Sequence, residues 1–354
     1  MNRSIPLLKH FANSPSLRYP IAVAPMIDVS TPHYLHLLNL IHPEHCQYTE
    51  MIHCRAVTRY KANDLDFKLG LPPTSNRVIQ LGGNNAEEFV KSAKVLEEWG
   101  FNELNINLGC PSDNVQSGNF GVKLMKEPFT VIKILNSLYD SGIRIPITLK
   151  IRIGVDDLDA PGFLNNFIQN IQFYTPIKHI IIHCRKAWLK GLSPKKNRNI
   201  PPLKYDQVYK IIENYKNLEF TVNGGISSIE EIQSNLNKYP NLNQVMLGRK
   251  FMNDPMFLKE SLIATNPSIS SKDFNSAEFI LKQYSEYSDL QHEKGHRVGV
   301  LIQPTMNLLP SKLGNLYKQN LPHLLPIAIK QNWKPSKLFI NLYEKSLSEL
   351  NNKV

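Results

Sequence analysis

The chain has 354 residues, 42% of them hydrophobic, which is enough for one large domain and a smaller one. No segment approaches the ~20 apolar residues of a membrane span, and the opening MNRSIPLLKHFANSPSLRYP lacks the apolar core of a leader, so a cytoplasmic protein is expected. A net charge of +11 favours an acidic partner, although a lysine-rich genome would give the same excess, and the four cysteines (Cys46, Cys54, Cys110, Cys184) show neither zinc nor disulfide spacing.

In chain order, short apolar runs recur at PIAVAPM (20–26), QYTEM (47–51), RVIQLGG (77–83), ELNINLG (103–109), ITLKIRIG (147–154), HIIIHC (179–184), FTVNGG (220–225) and QVMLGR (244–249). Segments of helical period lie between several of them. Phe89, Ala93, Leu96 and Trp99 share one face after Asn85, and Phe163, Phe167 and Ile171, with Leu164 and Ile168, do so after Pro161. PFTVIKILNSLY (128–139) behaves likewise. Eight strands alternating with helices predict an α/β fold, a (β/α)8 TIM barrel over residues 1–265. The Ser/Asn/Pro-rich stretch 266–276 then reads as a connector. Beyond it the strand pattern stops. Ile280, Tyr284 and Tyr287 suggest one helix, and Leu338, Phe339, Leu342, Tyr343, Leu347 and Leu350 another, so 277–354 is expected to be a small all-helical domain.

Chemistry in such a barrel sits at the carboxyl ends of the strands. Those ends carry Pro25 and Met26, Glu50, Gln80, Asn107 with Cys110, Lys150 with Arg152, His183 with Arg185, Asn223-Gly224-Gly225, and Gly248-Arg249. Singly, each could be a packing or surface residue; together on one rim they point to a site. Gly224, Gly225 and Gly248 would let backbone N–H groups approach a phosphate, with Arg249 as a bidentate cation. Lys150 and His183 would face a ring system across the mouth, and a cation beside the N1–C2=O edge of a flavin stabilises its reduced anion. Flavin mononucleotide (FMN) meets all of these requirements. Cys110 follows the strand in a Gly-Cys-Pro turn that would expose its thiol, whereas Cys46, Cys54 and Cys184 read as packing residues.

The strings APM, TEMI, IQLGGN, NINLGCPS, GVKLM, LKIRIG, HCRKAWLKGLSPKKNRNIPPL, TVNGGI and MLGR resemble the tRNA-dihydrouridine synthases, almost continuously from about Ile21 to Pro255. The loop RKAWLKGLSPKKNR resembles the A subfamily, which reduces uridines 20 and 20a of the tRNA D-loop. The resemblance implies a barrel holding FMN, with Ile27 added to the cofactor set (Pro25, Met26, Gln80, Lys150, His183, Asn223, Gly224, Gly225, Gly248, Arg249), and NADPH as reductant. It makes Cys110 the proton donor to uracil C5 while reduced flavin delivers hydride to C6. A free thiol, with a pKa near ~8.5, is largely protonated at pH 7 and suited to that task. By resemblance too, Asn107 holds the target nucleotide, Lys195 and Arg198 contact tRNA with Lys196 beside them, and DNVQSGNFGVKLM, with Gly118 and Gly121, covers the site. A monomer with no metal is expected.

Residues 185–198 hold six cations and no acid, which suits a folded RNA whose target base must be extruded into a pocket. Two other readings stay open: a flavin barrel acting on a free pyrimidine, and a non-catalytic tRNA binder. The chain departs from the A subfamily at LLPSKLGNLYKQNL (308–321), which lacks the usual arginine and tryptophan. Residues 276–354 carry a net charge of only +4, leaving Lys312 and Lys318 as weak candidate RNA contacts there.

Overall fold

Each of the eight apolar runs forms a strand in the computed structural model, which describes residues 14–70 and 76–352. The reading of the opening stretch falls mostly on residues 1–13, outside the described ones. The strands are β1 (Ile21–Val23), β2 (Cys46–His53), β3 (Arg77–Gly82), β4 (Leu104–Leu108), β5 (Ile147–Arg152), β6 (His179–His183), β7 (Glu219–Asn223) and β8 (Leu242–Leu247). All neighbours are parallel, and β8 pairs with β1 to close the barrel, with Val23 opposite Leu247. Strands covered on both faces read as near-continuous apolar runs, which is why HIIIH is buried throughout.

Helices pack outside the barrel for the reasons the sequence suggests. Asn85 Oδ1 accepts from Glu88 N at 3.0 Å and starts the helix Ala86–Trp99, which buries Phe89, Ala93 and Leu96 and ends at left-handed Gly100. Pro161 opens the helix Pro161–Tyr174, whose buried face is Leu164, Phe167, Ile168 and Ile171.

The barrel interior is divided between two chemistries. Ala22, Cys46, Tyr48, Val78, Ile181 and Met246 form an apolar cluster. Beside it runs a polar ladder from the barrel floor to its mouth. Thr148 Oγ1 donates to Glu103 Oε1 (3.2 Å), Asn105 Nδ2 to Thr148 Oγ1 (2.9 Å), Gln80 Nε2 to Asn105 Oδ1 (2.7 Å) and Asn107 Nδ2 to Gln80 Oε1 (2.7 Å). The period of two along each strand stacks these side chains on one face.

The chain divides into two compact units. One runs to Ile27 and resumes over His45–Gly248; the other joins Asp28–Glu44 to the chain from Arg249 onward. The second is helical, with Pro32–Ile41, Ala277–Glu293, Ser311–Lys330 and Pro335–Asn351 as its longer helices. The Tyr284 ring stacks on Phe339 and its hydroxyl donates to Leu301 O at 2.8 Å, which ties three of its segments together. Among the described residues, no helix is long and apolar enough to cross a membrane.

Candidate active site at the carboxyl ends of the strands

β4 ends at Leu108, and Gly109 and Pro111 turn the chain outward into a short helix, Asp113–Ser117. The backbone of this turn is held on every side. Asn107 Oδ1 accepts from the N–H groups of Gly109 (3.1 Å) and Cys110 (2.9 Å), and Gly109 O accepts from Arg152 Nε (2.8 Å). Cys110 O accepts from Val122 N at 3.1 Å, and Pro111 O from Gln116 Nε2 at 2.7 Å. The thiol is half-buried and donates to Ser112 Oγ at 3.4 Å, while Cys46, Cys54 and Cys184 are fully buried, as packing residues should be.

Lys150 and His183 follow on β5 and β6, the next two strands round the mouth. Lys150 Nζ donates to Asn223 Oδ1 (3.1 Å), whose amide donates on to Met246 O (2.8 Å). Burial, and secondarily the Arg152 guanidinium, bring the Lys150 ammonium from its usual 10.5 down to about 7. Burial, then the charges of Arg152 and Lys150, hold His183 well below the usual histidine value, so its imidazole is neutral. Its Nδ1 is buried without a hydrogen-bond partner. No carboxylate among the described residues pairs with Lys150 or Arg152. Lys150, Arg152 and His183 thus make this part of the mouth electropositive and partly desolvated.

After β7, Gly224 and Gly225 take φ of 119° and 86°, a region that disfavours side chains, and a Cβ on Gly225 would stand 2.6 Å from Leu203 Cδ1. At Gly248 a Cβ would meet Met26 Sδ at 3.2 Å, which places the strand-one turn (Pro25, Met26, exposed Ile27) beside the end of β8. Arg249 is the next residue in the chain, opens the helix Arg249–Asn253 and is exposed.

The basic loop sorts its cations by role. Lys186 is turned inward: it pairs with Asp159 (3.3 Å), donates to Asp156 O (3.0 Å) and covers the ring of half-buried Trp188 at 4.0 Å. Arg185 donates to Pro201 O. Lys195, Lys196 and Arg198 are exposed. Buried Asn197 closes the loop, accepting from Trp188 N (2.7 Å) and donating to Trp188 O (2.9 Å) and Leu192 O (3.0 Å).

Cys110, Asn107, Gln80, Lys150, His183, Asn223, Gly224, Gly225, Gly248, Pro25 and Met26 thus all sit at the carboxyl ends of barrel strands. Gln80 is engaged on both sides of its amide by Asn105 and Asn107 before any ligand is considered. In the segment expected to cover the site, Phe120 is buried edge-on to His53 and only Gly121 of the two glycines has a positive φ, 66°. Gln116 and Asn197 escaped the sequence reading. Arg152 was visible only as a strand end, although its place two residues after Lys150 put it on the same face. His53, Cys54 and Glu88 also converge, but Glu88 is paired with Arg55 at 2.7 Å and burial pushes the Cys54 thiol up to about 12, a poor metal-ligand set.

The family model described as dihydrouridine synthase matches residues 22–309. A tRNA-dihydrouridine(20/20a) synthase of Shewanella oneidensis is 36% identical over 303 residues, covering 85% of this chain and 88% of its own. Another, from Haemophilus ducreyi, is 38% identical over 284 residues, covering 78% and 85%. Among solved structures, histamine dehydrogenase from Rhizobium sp. 4-9 superposes with a TM-score of 0.50 at 11% identity, over 68% of this chain and 45% of that one, a likeness of fold alone. The family match takes in every strand end from Pro25 to Arg249, and the chain belongs to the dihydrouridine synthase family.

Proposed function

We propose that this chain reduces uridine to 5,6-dihydrouridine at positions 20 and 20a of the tRNA D-loop, in the cytoplasm, with FMN as resident cofactor and NADPH as its reductant. The residues fit the cofactor. The unpartnered Nδ1 of the neutral His183 calls for a polar partner and the ammonium of Lys150 for an anionic one, and the positive φ of Gly224 and Gly225 keeps that turn free of side chains. Lys150 and His183 would hold the ring, Gly224, Gly225, Gly248 and Arg249 the phosphate, with Pro25, Met26, Ile27, Gln80 and Asn223 around them. When bound, the flavin supplies hydride to uracil C6.

The chain's own residues do the rest. Cys110 Sγ gives its proton to C5, and the fully bonded turn beneath it keeps the thiol in one place while the base arrives. Asn107 spends its oxygen on that turn and keeps one amide hydrogen for the nucleotide. Lys195, Lys196 and Arg198 grip phosphates while the base is extruded.

The observation that carries this reading is the Cys110 turn, held on the rim beside Lys150, whose strand pairs with its own. Cys110→Ala should retain flavin and still be reduced by NADPH, yet form dihydrouridine ~10²–10⁴-fold more slowly. Turnover of tRNA at the parent rate by that variant would sink the donor assignment.

A further inference from the structure

Two bridges join the basic loop to the Cys110 turn. Arg152, at the end of β5, is 5% exposed, and its guanidinium reaches two segments at once. Nε donates to Gly109 O at 2.8 Å, while Nη1 donates to Lys186 O (2.9 Å) and Asn197 O (3.2 Å). Gln116 repeats the arrangement nearby, its Nε2 lying 2.7 Å from both Pro111 O and Leu189 O. The loop behind these contacts is itself rigid, closed by Asn197 and anchored where Leu189 N donates to Asp156 Oδ1 at 2.8 Å. Displacing the loop backbone therefore displaces the carbonyls of Gly109 and Pro111, the two residues that flank Cys110.

We propose that Arg152 is a positioning residue that couples the tRNA-gripping loop to the Cys110 turn, so that RNA phosphates seated on Lys195 and Arg198 set the aim of the proton donor. The inference rests on the reading of Cys110 as that donor. A buried guanidinium with no carboxylate partner is costly to keep. The planar fork of arginine reaches three carbonyls on the two segments from one side chain, and a lysine ammonium at the same place lacks that geometry. Burial lowers the guanidinium to about 10, which still leaves it charged at neutral pH.

The test uses the flavin-loaded enzyme, reduced chemically and then mixed with an unmodified tRNA transcript. At saturating tRNA, Arg152→Lys should slow flavin reoxidation by about ten- to a hundredfold, the scale of a ~1 Å misplacement of a reacting group. Its flavin content, its bleaching by NADPH and its tRNA dissociation constant should stay within about twofold of the parent. Neutralising Lys195 and Arg198 together should cost the parent both affinity and rate at saturation. In the Arg152→Lys background it should cost affinity alone, a non-additivity that general loosening would not produce. Reoxidation of Arg152→Lys at the parent rate, or additive rate losses in the cycle, would overturn the coupling. If Arg152→Lys does not fold, Gln116→Ala decides: a slower saturated rate with unchanged affinity supports the coupling, and the parent rate overturns it. Cys110→Ala run in parallel separates the two readings. Its retention of the parent rate removes the donor itself, whereas its loss beside an unaffected Arg152→Lys removes only the coupling.

Discussion

At the scale of the residue, Lys150 shows what burying an ammonium costs the folded chain. Burial beside Arg152 lowers its ammonium from 10.5 to about 7 in the folded chain. Between those values the unfolded chain holds the extra proton, so stability rises with pH across that window and the full cost is felt below pH 7. Lys150→Met should therefore raise the melting temperature of the cofactor-free protein, by several degrees near pH 6 and by progressively less toward pH 10. A gain independent of pH would show that the ammonium is not desolvated. The same residue was legible in the sequence, as a cation at a strand end in an apolar run. Arg152 was not assigned a role there, because its partners are three backbone carbonyls that no side-chain pattern announces. Gln116 and Asn197 were hidden for the same reason.

At the scale of the element, the eight strands were legible because parallel, doubly covered strands must be short apolar runs. β2 extends to His53, beyond the run read for it, since its pairing with β3 shifts register between Tyr48 and Met51 and resumes with the half-buried Ile52 and His53. The helix Ser311–Lys330 could not be read, because Pro322 and Pro326 inside it argue against any helix at all. In the proposed reading, the glycine turn after β7 would carry the cofactor's phosphate. Gly225→Ala would force a side chain into φ 86° and against Leu203, and should release flavin on dialysis with at least about tenfold weaker retention. Gly162→Ala, which adds a Cβ in open space at the start of Pro161–Tyr174, should leave flavin content unchanged. Equal retention in the two variants would remove the phosphate from this turn.

At the scale of the whole molecule, the charge is unevenly placed. Residues 276–354 carry +4 of the net +11. Lys312 and Lys318 are exposed there, and Lys318 Nζ is engaged by Asn307 Oδ1 at 2.6 Å. Lys195 and Arg198 stand exposed on a rigid loop. Neutralising Lys195 and Arg198 together should weaken tRNA binding more than neutralising Lys312 and Lys318. It should also flatten the salt dependence more, by ~0.7–0.9 of log slope for each phosphate no longer neutralised. Equal losses in filter-binding titrations over a range of salt would assign the grip to both regions.

The ladder inside the barrel also has a handedness of its own. From the Cys110 N–H through Asn107, Gln80, Asn105 and Thr148 to the Glu103 carboxyl, every hydrogen points toward the floor. Each amide passes on the orientation it receives, so no member can turn over alone without setting donor against donor. The row therefore has two self-consistent senses, and only the one observed leaves an oxygen at Asn107 to receive the turn that carries the thiol. Glu103 anchors that sense as a pure acceptor when ionised, although burial raises its carboxyl to about 7. The polarity of an amide at the rim is thereby written by a carboxyl at the opposite end of the barrel, carried there through side chains on β3, β4 and β5.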